Sequence, residues 1–218
     1  MLLLIARSMF AVYVAEISSL GDYEMKGKKF YILPGDEKIP SNDLEFMYFK
    51  EIITQCLLRH KAIQTEEHDY YADVCIFLDY SIEDASYVAT RSVANWGPKS
   101  ISSIETTSSG KTYVNYNYGV TGYTNQSYDV ESYRRELSLY AFDAKSENPV
   151  ILWETNVVSS GYSNDLQRVF PYMAQLAFGY MGESSKGKIS VSIEDEDPDV
   201  LSMKQRLYLH NDVVVNPL

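Results

Sequence analysis

Three histidines are the first residues to consider for metal binding or acid–base chemistry. His60, His68 and His210 lie far apart in the chain, and no His-x-x-x-His or His-Glu-x-x-His spacing places two imidazoles on one helical face. We therefore expect solvated or helix-capping histidines and no metal site.

Carboxylates cluster around His68, and their number could support an acid–base or cation site: Glu66, Glu67, Asp69 and Asp73. The segment is a polar loop that leads into an apolar stretch, which favours solvated side chains. Asp73 stands at the start of that stretch, and we expect its carboxylate to cap backbone amides.

A second acidic cluster, Glu194 to Asp199, lacks the Asp-x-Asp-x-Asp-Gly pattern of a calcium loop and is more typical of a solvated helix cap. The chain also has no Gly-x-Ser-x-Gly elbow, no Gly-rich phosphate-binding loop and no dinucleotide fingerprint. The sequence therefore predicts a non-enzymatic protein without catalytic residues, metal or cofactor.

Tyrosine is unusually frequent, with 19 Tyr against 8 Phe. Five tyrosines form a candidate binding stripe: Tyr113, Tyr116, Tyr118, Tyr123 and Tyr128. Tyrosine rings stack on sugars, peptides and partner proteins, but they also cover twisted sheets. We expect most of the five to cover a sheet and one or two beside the preceding loop to be exposed.

Composition limits the partners and the compartment. The formal charge of −11 repels phosphate backbones and disfavours nucleic acid and anionic membrane surfaces. With 218 residues and 45% hydrophobic content, the chain can bury a core. Cys56 and Cys75 both lie in apolar runs, which predicts free buried thiols; a disulfide between them would require an oxidising compartment.

The first half of the chain predicts a strand–helix–strand unit. Lys29–Leu33 is a short strand, and the cap Ser41 or Asn42, with Glu45 in a capping box, begins a helix that runs to His60. Its apolar face is Phe46, Phe49, Ile53, Cys56 and Leu57. Residues 72–80 are apolar nearly throughout, as in a strand buried on both faces.

The second half predicts two hairpins, a helix and a strand. The first hairpin spans a Ser-rich loop, Gly97 to Gly110, and places Tyr116, Tyr118 and Val120 on one face. The second hairpin joins Arg135–Asp143 to Val150–Ser159, and its faces are Leu137, Leu139 and Ala141, and Ile151, Trp153, Thr155 and Val157. The remaining elements are a helix capped by Ser163, with Pro171 at a kink or in the first turn, a strand over Gly187–Ile193 and a short helix from Pro198.

Together these elements predict an α+β fold: a mixed, mostly antiparallel sheet with two main helices packed on one face and long hairpins. We assign residues 28–193 to a single α+β domain and residues 194–218 to an acidic C-terminal extension with a short helix. Residues 1–27 comprise an apolar segment, too short to span a membrane, and a linker-like stretch, Ser18 to Gly27. The apolar segment is a degraded export signal or an ordinary buried segment.

The order of these segments resembles a bacterial envelope lipoprotein family known as domain of unknown function 4136. The residues that carry the resemblance are Phe30-Tyr31-Ile32, Ala72-Asp73-Val74, Leu139 to Ala144, Val150 to Glu154 and Phe170-Pro171. The resemblance implies an α+β sandwich in the cell envelope, periplasmic or associated with the outer membrane, and no catalytic residues. Family members are lipidated at a cysteine after an apolar signal. This chain has no cysteine before Cys56, so membrane attachment would need an anchor missing from it.

The leading functional hypothesis is a non-enzymatic, envelope-associated, lipoprotein-like protein that binds a protein or another envelope component. The alternatives are a glycan- or peptide-binding module that uses the Tyr-rich hairpin, and a hydrolase whose site is assembled from residues distant in sequence. A cytoplasmic location is the alternative if Met1 is the true start.

Overall fold

The computed structural model of the chain describes residues 12–67 and 69–205, which divide into two compact units. The larger unit, here called the body, comprises the described residues up to Asp84 and from Tyr133 onward. The smaller unit, here called the hairpin, is Ala85–Ser132. The predicted domain, residues 28–193, is thus interrupted by a unit with its own separate sheet.

The strands are β1 Val12–Gly21, β2 Lys29–Pro34, β3 Ile63–Gln64, β4 Val74–Asp84, β5 Tyr87–Thr106, β6 Thr112–Val130, β7 Tyr133–Asp143, β8 Ile151–Gly161 and β9 Ile189–Glu194. Seven of them form the body sheet in the order β3-β2-β4-β7-β8-β1-β9. The two pairings of β2 are parallel, and the other four are antiparallel. The protein is therefore α+β, with a mixed and mostly antiparallel sheet.

The main helices are α1 Leu44–Arg59 and α2 Leu166–Phe178, and a third helix, α3, covers residues 198–205. In each main helix the N-cap residue lies one or two positions after the predicted cap. The carboxylate of Asp43 accepts the amide of Phe46 at 2.9 Å, and that of Asp165 accepts the amide of Arg168 at 3.0 Å. Asp replaces the predicted Ser41, Asn42 and Ser163 as the cap because its side chain reaches the third helical amide. No helix in the described ranges is long and apolar enough to cross a bilayer.

Both main helices cover one face of the body sheet. The ring of Phe49 in α1 stacks on Phe170 of α2 with centroids 4.0 Å apart, and meets Tyr80 of β4 edge-on at 4.6 Å. Trp153 of β8 is fully buried in the same core, and so are the predicted helix-face residues Ile53 and Leu57. Pro171 lies inside α2, five residues after its start. The second face of β4 is covered less than predicted, because Phe77 is half-buried and Asp79 is exposed.

The strand β1 corrects the prediction for the N-terminal region. Val12–Gly21 pairs with β8 on one side and with β9 on the other, so Ser18 to Gly21 belong to the sheet and not to a linker. Ala15 and Ile17 are buried in the core, and Ser19 is buried beside them. The alternation of Ala15, Ile17 and Ser19 with exposed neighbours is the period-two pattern of a strand with one buried face. The apolar residues before Val12 lie outside the described ranges.

The loop after α2 is held against β1 by buried polar contacts. The Ser19 hydroxyl lies 2.8–2.9 Å from the carbonyl oxygens of Glu154, Tyr180 and Glu183. The amide of Tyr23 donates to the carbonyl of Gly182 at 2.8 Å. Gly182 has φ +88°, and a Cβ there would lie 2.2 Å from the carbonyl oxygen of Tyr23, so only glycine fits.

The cysteines are free and buried, as predicted. Burial raises the pKa of the Cys56 thiol to about 12. Its Sγ lies 3.8 Å from the carbonyl oxygen of Ala174 in α2, which places the thiol between the two main helices.

The hairpin is longer than predicted. Its strands, β5 and β6, pair from Tyr87 with Val130 to Thr106 with Thr112. The connection is a short turn in which the amide of Gly110, at φ +84°, donates to the carbonyl of Thr107. Most of the predicted Ser-rich loop, Gly97 to Thr106, is therefore strand.

Candidate binding surface

All five predicted tyrosines lie on β6 and are exposed. Tyr118 and Tyr123 are 70% and 71% exposed, and Tyr113, Tyr116 and Tyr128 lie between 47% and 55%. The expectation that most of them cover a sheet is wrong, because the strands β5 and β6 form a two-stranded sheet with no third layer in their own unit.

A bulge in β6 decides which tyrosines share a face. Asn95 pairs with Gly122 and Trp96 pairs with Val120, so Thr121 has no paired position in the register with β5. Such an extra residue shifts the alternation of the strand by one position. As a result Tyr123 joins Tyr116 and Tyr118 on one face, whereas Tyr113 and Tyr128 lie on the other.

The face that carries Tyr116, Tyr118 and Tyr123, here called the tyrosine face, is apolar over its whole middle part. The paired positions put Trp96 beside Val120, Pro98 beside Tyr118, and Ile101 beside Tyr116. Its ten residues are Ala94, Trp96, Pro98, Ile101, Ile104, Val114, Tyr116, Tyr118, Val120 and Tyr123. Trp96, at 73% exposure, lies between Tyr118 and Tyr123 along the ribbon. The surface can bind apolar and aromatic groups by burial and ring stacking.

The opposite face of the hairpin, which also carries Tyr113 and Tyr128, has mostly polar side chains, and several of them pair with one another. The Asn115 side chain donates to Ser103 at 2.9 Å, and the Asn95 side chain donates to Thr124 at 2.6 Å. The guanidinium of Arg91 lies 5.7 Å from the ring centroid of Tyr128. These contacts hold polar side chains along the ribbon, and the hairpin is amphipathic across its two faces.

The hairpin carries little charge. Within Ala85–Ser132 the basic residues are Arg91, Lys99 and Lys111, and the acidic residues are Glu105, Asp129 and Glu131. The hairpin is therefore neutral, and the whole net charge of −11 belongs to the rest of the chain.

The other sequence candidates have structural roles in the body. The ring Nε2 of His60 lies 2.8 Å from the carbonyl oxygen of Phe178, and the His60 backbone caps the C-terminus of α1. Asp73 pairs with Lys145 at 2.5 Å and accepts the amide of Lys29 at 2.9 Å, and these two contacts lower the pKa of its carboxyl group. The predicted capping role of Asp73 is confirmed. His68 and His210 lie outside the described ranges.

The carboxylates near His68 were expected to be solvated loop side chains, and those in the described residues have separate local partners. Glu67 pairs with Lys50 at 2.6 Å, and the Asp69 side chain accepts the amide of Tyr71. No group of three or more His, Cys, Asp or Glu side chains in residues 12–67 and 69–205 could hold a metal ion. The C-terminal acidic cluster caps α3, where the side chain of Asp197 accepts the amides of Asp199 and Val200.

The body also has a cleft of about 420 Å³ between the start of the β1–β2 connection and the end of α1. Its lining includes Glu24, Arg59, His60, Lys61 and Glu183. Arg59 already donates to Gln175 and Asp199, both at 2.7 Å, and His60 is held by Phe178. The potentially reactive groups Arg59 and His60 are thus engaged in holding α1 to α2 and α3.

Sequence reasoning missed Trp96, Ile101 and Ile104, which are as exposed on the tyrosine face as the tyrosines themselves. Extra residues in β5 at Lys99 and Ser102 hide the period of two, so the segment looked like a loop. The spacing of Trp96 and Pro98, followed by Ile101 and Ile104, was the signal that an apolar ribbon face continued through the serines.

Comparisons with known proteins give no family. No protein-family model matches the chain, and no curated protein matches it. Solved structures with a distant similarity to this chain include the following two. A PDZ domain protein from Parabacteroides distasonis aligns with 84% of this chain at 13% identity and a TM-score of 0.44, and this chain covers 39% of that protein. A PelC dodecamer from Paraburkholderia phytofirmans aligns with 78% of this chain and 99% of its own at 9% identity and a TM-score of 0.39.

Proposed function

We propose that the protein is a non-enzymatic binding protein whose binding surface is the tyrosine face of the hairpin. One observation carries the proposal: ten apolar and aromatic residues lie contiguously on a face that its own unit leaves uncovered. Large exposed apolar patches in proteins mark sites of interaction. The compartment we propose is the cell envelope, and the support for it is the resemblance of the segments to the envelope lipoprotein family.

The chemistry of the face favours a protein partner over a glycan. Its polar atoms are limited to the indole nitrogen of Trp96, the hydroxyls of Tyr116, Tyr118 and Tyr123, and the backbone. Sugar sites combine ring stacking with several placed polar groups, whereas protein interface cores are rich in Trp and Tyr and poor in charge. The glycan-binding alternative remains an outcome of the test.

Site-specific photo-cross-linking tests the proposal directly. A benzoylphenylalanine is placed at position 96 on the tyrosine face or, as a matched control, at position 128 on the opposite face. An envelope extract that contains the labelled variant is then irradiated. We expect protein adducts from position 96 and few from position 128. Equal adducts from both positions, or none from position 96, would contradict the proposal.

Co-sedimentation with purified peptidoglycan tests the glycan-binding alternative. Binding that is lost in Trp96→Ser together with Tyr118→Ser, in the absence of protein adducts, would favour the glycan-binding alternative over the protein partner.

A further inference from the structure

We infer that the occupant of the tyrosine face is the tyrosine face of a second copy of this chain, with two hairpins stacked face to face around a two-fold axis. The inference rests on the proposed function and identifies its partner. It is carried by the area and composition of the face, by the interrupted strand edges and by the neutrality of the hairpin.

The area of the face matches what a stable dimer needs. At about 200 Å² for each fully exposed aromatic side chain, Trp96, Tyr116, Tyr118 and Tyr123 together offer about 500 Å² at their observed exposures. The aliphatic side chains Ile101, Ile104 and Val114 add about 200 Å². The sum approaches the roughly 800 Å² per partner of a standard protein interface.

Pairing through the edges of the ribbon is less favourable than stacking of its faces. The ladder of β5 is interrupted by Pro98 and by the extra residues Lys99 and Ser102, and that of β6 is interrupted by Thr121. Proline and bulges are the features by which strand edges avoid further pairing. The face, in contrast, is continuous across these interruptions.

A lipid partner is disfavoured by the same edges. A two-stranded ribbon immersed in hydrocarbon would leave the outward N–H and C=O groups of both strands without partners, at several kcal/mol for each group. A stacked pair of hairpins in water leaves these groups hydrated and still removes the apolar side chains from solvent, as two sheets packed about 10 Å apart do.

The distribution of charge favours the hairpin as the contact between two copies. The rest of the chain carries the whole net charge of −11, so two copies repel each other there. The hairpin, with three basic and three acidic residues, contributes no net repulsion. Tyr118 and Pro98 lie near the middle of the tyrosine face, so an isologous contact brings each Tyr118 close to its counterpart.

Sedimentation equilibrium of the purified full chain tests the inference. We expect a dimer for the wild type, a monomer for the variant Trp96→Ser/Tyr118→Ser/Tyr123→Ser, and a dimer for the control Tyr113→Ser/Tyr128→Ser on the opposite face. Both variants should retain the near-ultraviolet circular dichroism of the buried Trp153, which shows that the body is folded. A monomeric wild type, or a dimer that both variants weaken equally, would overturn the inference.

A disulfide test examines the two-fold contact itself. Under mild oxidation Tyr118→Cys should form a covalent dimer at least ten times faster than Tyr128→Cys, because face-to-face stacking brings the two copies of position 118 together. The native cysteines are buried and should not interfere. Equal rates would contradict face-to-face stacking.

The two proposals can fail separately. A monomeric wild type that still gives adducts at position 96 with a different protein would overturn the dimer and leave the binding function. The absence of any adduct and of any dimer would overturn both.

Discussion

The two tryptophans of this chain show how the body and the hairpin use apolar residues differently. Trp153 of the body is 1% exposed, whereas Trp96 of the hairpin is 73% exposed. The body covers the apolar face of its sheet with α1 and α2, and the hairpin has an apolar face without a covering layer in its own unit. A two-stranded hairpin is marginally stable by itself. The body thus contains the buried core of the protein, and the hairpin presents the exposed apolar face that we propose as a binding surface.

The largest effect that this comparison predicts is on the core of the body. Ile53→Ala should lower the free energy of unfolding by about 2–5 kcal/mol, because Ile53 is fully buried between the sheet and the helices and its truncation leaves a cavity. The measurement is urea unfolding followed by the fluorescence of Trp153 in a Trp96→Phe background. A loss below about 0.5 kcal/mol would show that α1 is not part of the core.

The next effect concerns the loop that closes the body beside β1. Gly182→Ala should cost about 1–3 kcal/mol, because the new Cβ would meet the carbonyl oxygen of Tyr23 and φ +88° is strained for alanine. Gly179→Ala in the same region is the matched control, since a Cβ there has open space and its φ is −67°. Equal effects of the two substitutions in thermal melts would contradict the close approach of Gly182 to the carbonyl oxygen of Tyr23.

The body was largely predictable from the sequence, whereas in the hairpin only its existence and the shared face of Tyr116, Tyr118 and Val120 were predicted. The apolar residues of α1 recur with a period of 3.6, and those of the paired strands β7 and β8 recur with a period of 2. Phe49, Leu137 and Trp153 were therefore predicted as core residues. The strand β1 was missed because export signals and buried strands are both apolar. In the hairpin, bulges shift the alternation at Lys99, Ser102 and Thr121 and so conceal both the length of β5 and the division of the tyrosines between two faces.

The stability of the body at alkaline pH tests whether the Cys56 thiol is buried. The pKa of Cys56 is raised by burial from 9.0 to about 12, so between these values the unfolded thiol releases a proton that the folded thiol keeps. The contribution of Cys56 to stability is complete below about pH 9 and is lost as the pH rises toward 12, with a loss of about 1 kcal/mol at pH 10. Burial raises the pKa of Tyr31 and Tyr80 to about 12 too, and they act in the same direction.

Urea unfolding of the wild type and of Cys56→Ala at pH 8 and pH 10 measures the contribution of this thiol. We expect a smaller difference between the two pH values in the variant. An identical pH dependence in both proteins would show that Cys56 ionises as freely in the folded chain as in the unfolded one.

The smallest effect should come from the hairpin, and it separates burial within the chain from burial between copies. At a protein concentration at which the chain is monomeric, Trp96→Ser together with Tyr118→Ser should change the unfolding free energy by less than about 0.5 kcal/mol, because these side chains are exposed and contribute no core. At higher concentration the wild type should gain thermal stability by mass action, since a dimer binds only the folded state, and the double variant should gain none. Thermal melts over a hundredfold range of concentration, with Tyr113→Ser/Tyr128→Ser as the control, measure both. A loss of several kcal/mol at every concentration would mean that the tyrosine face is covered within a single chain, and the contrast between Trp96 and Trp153 would then disappear.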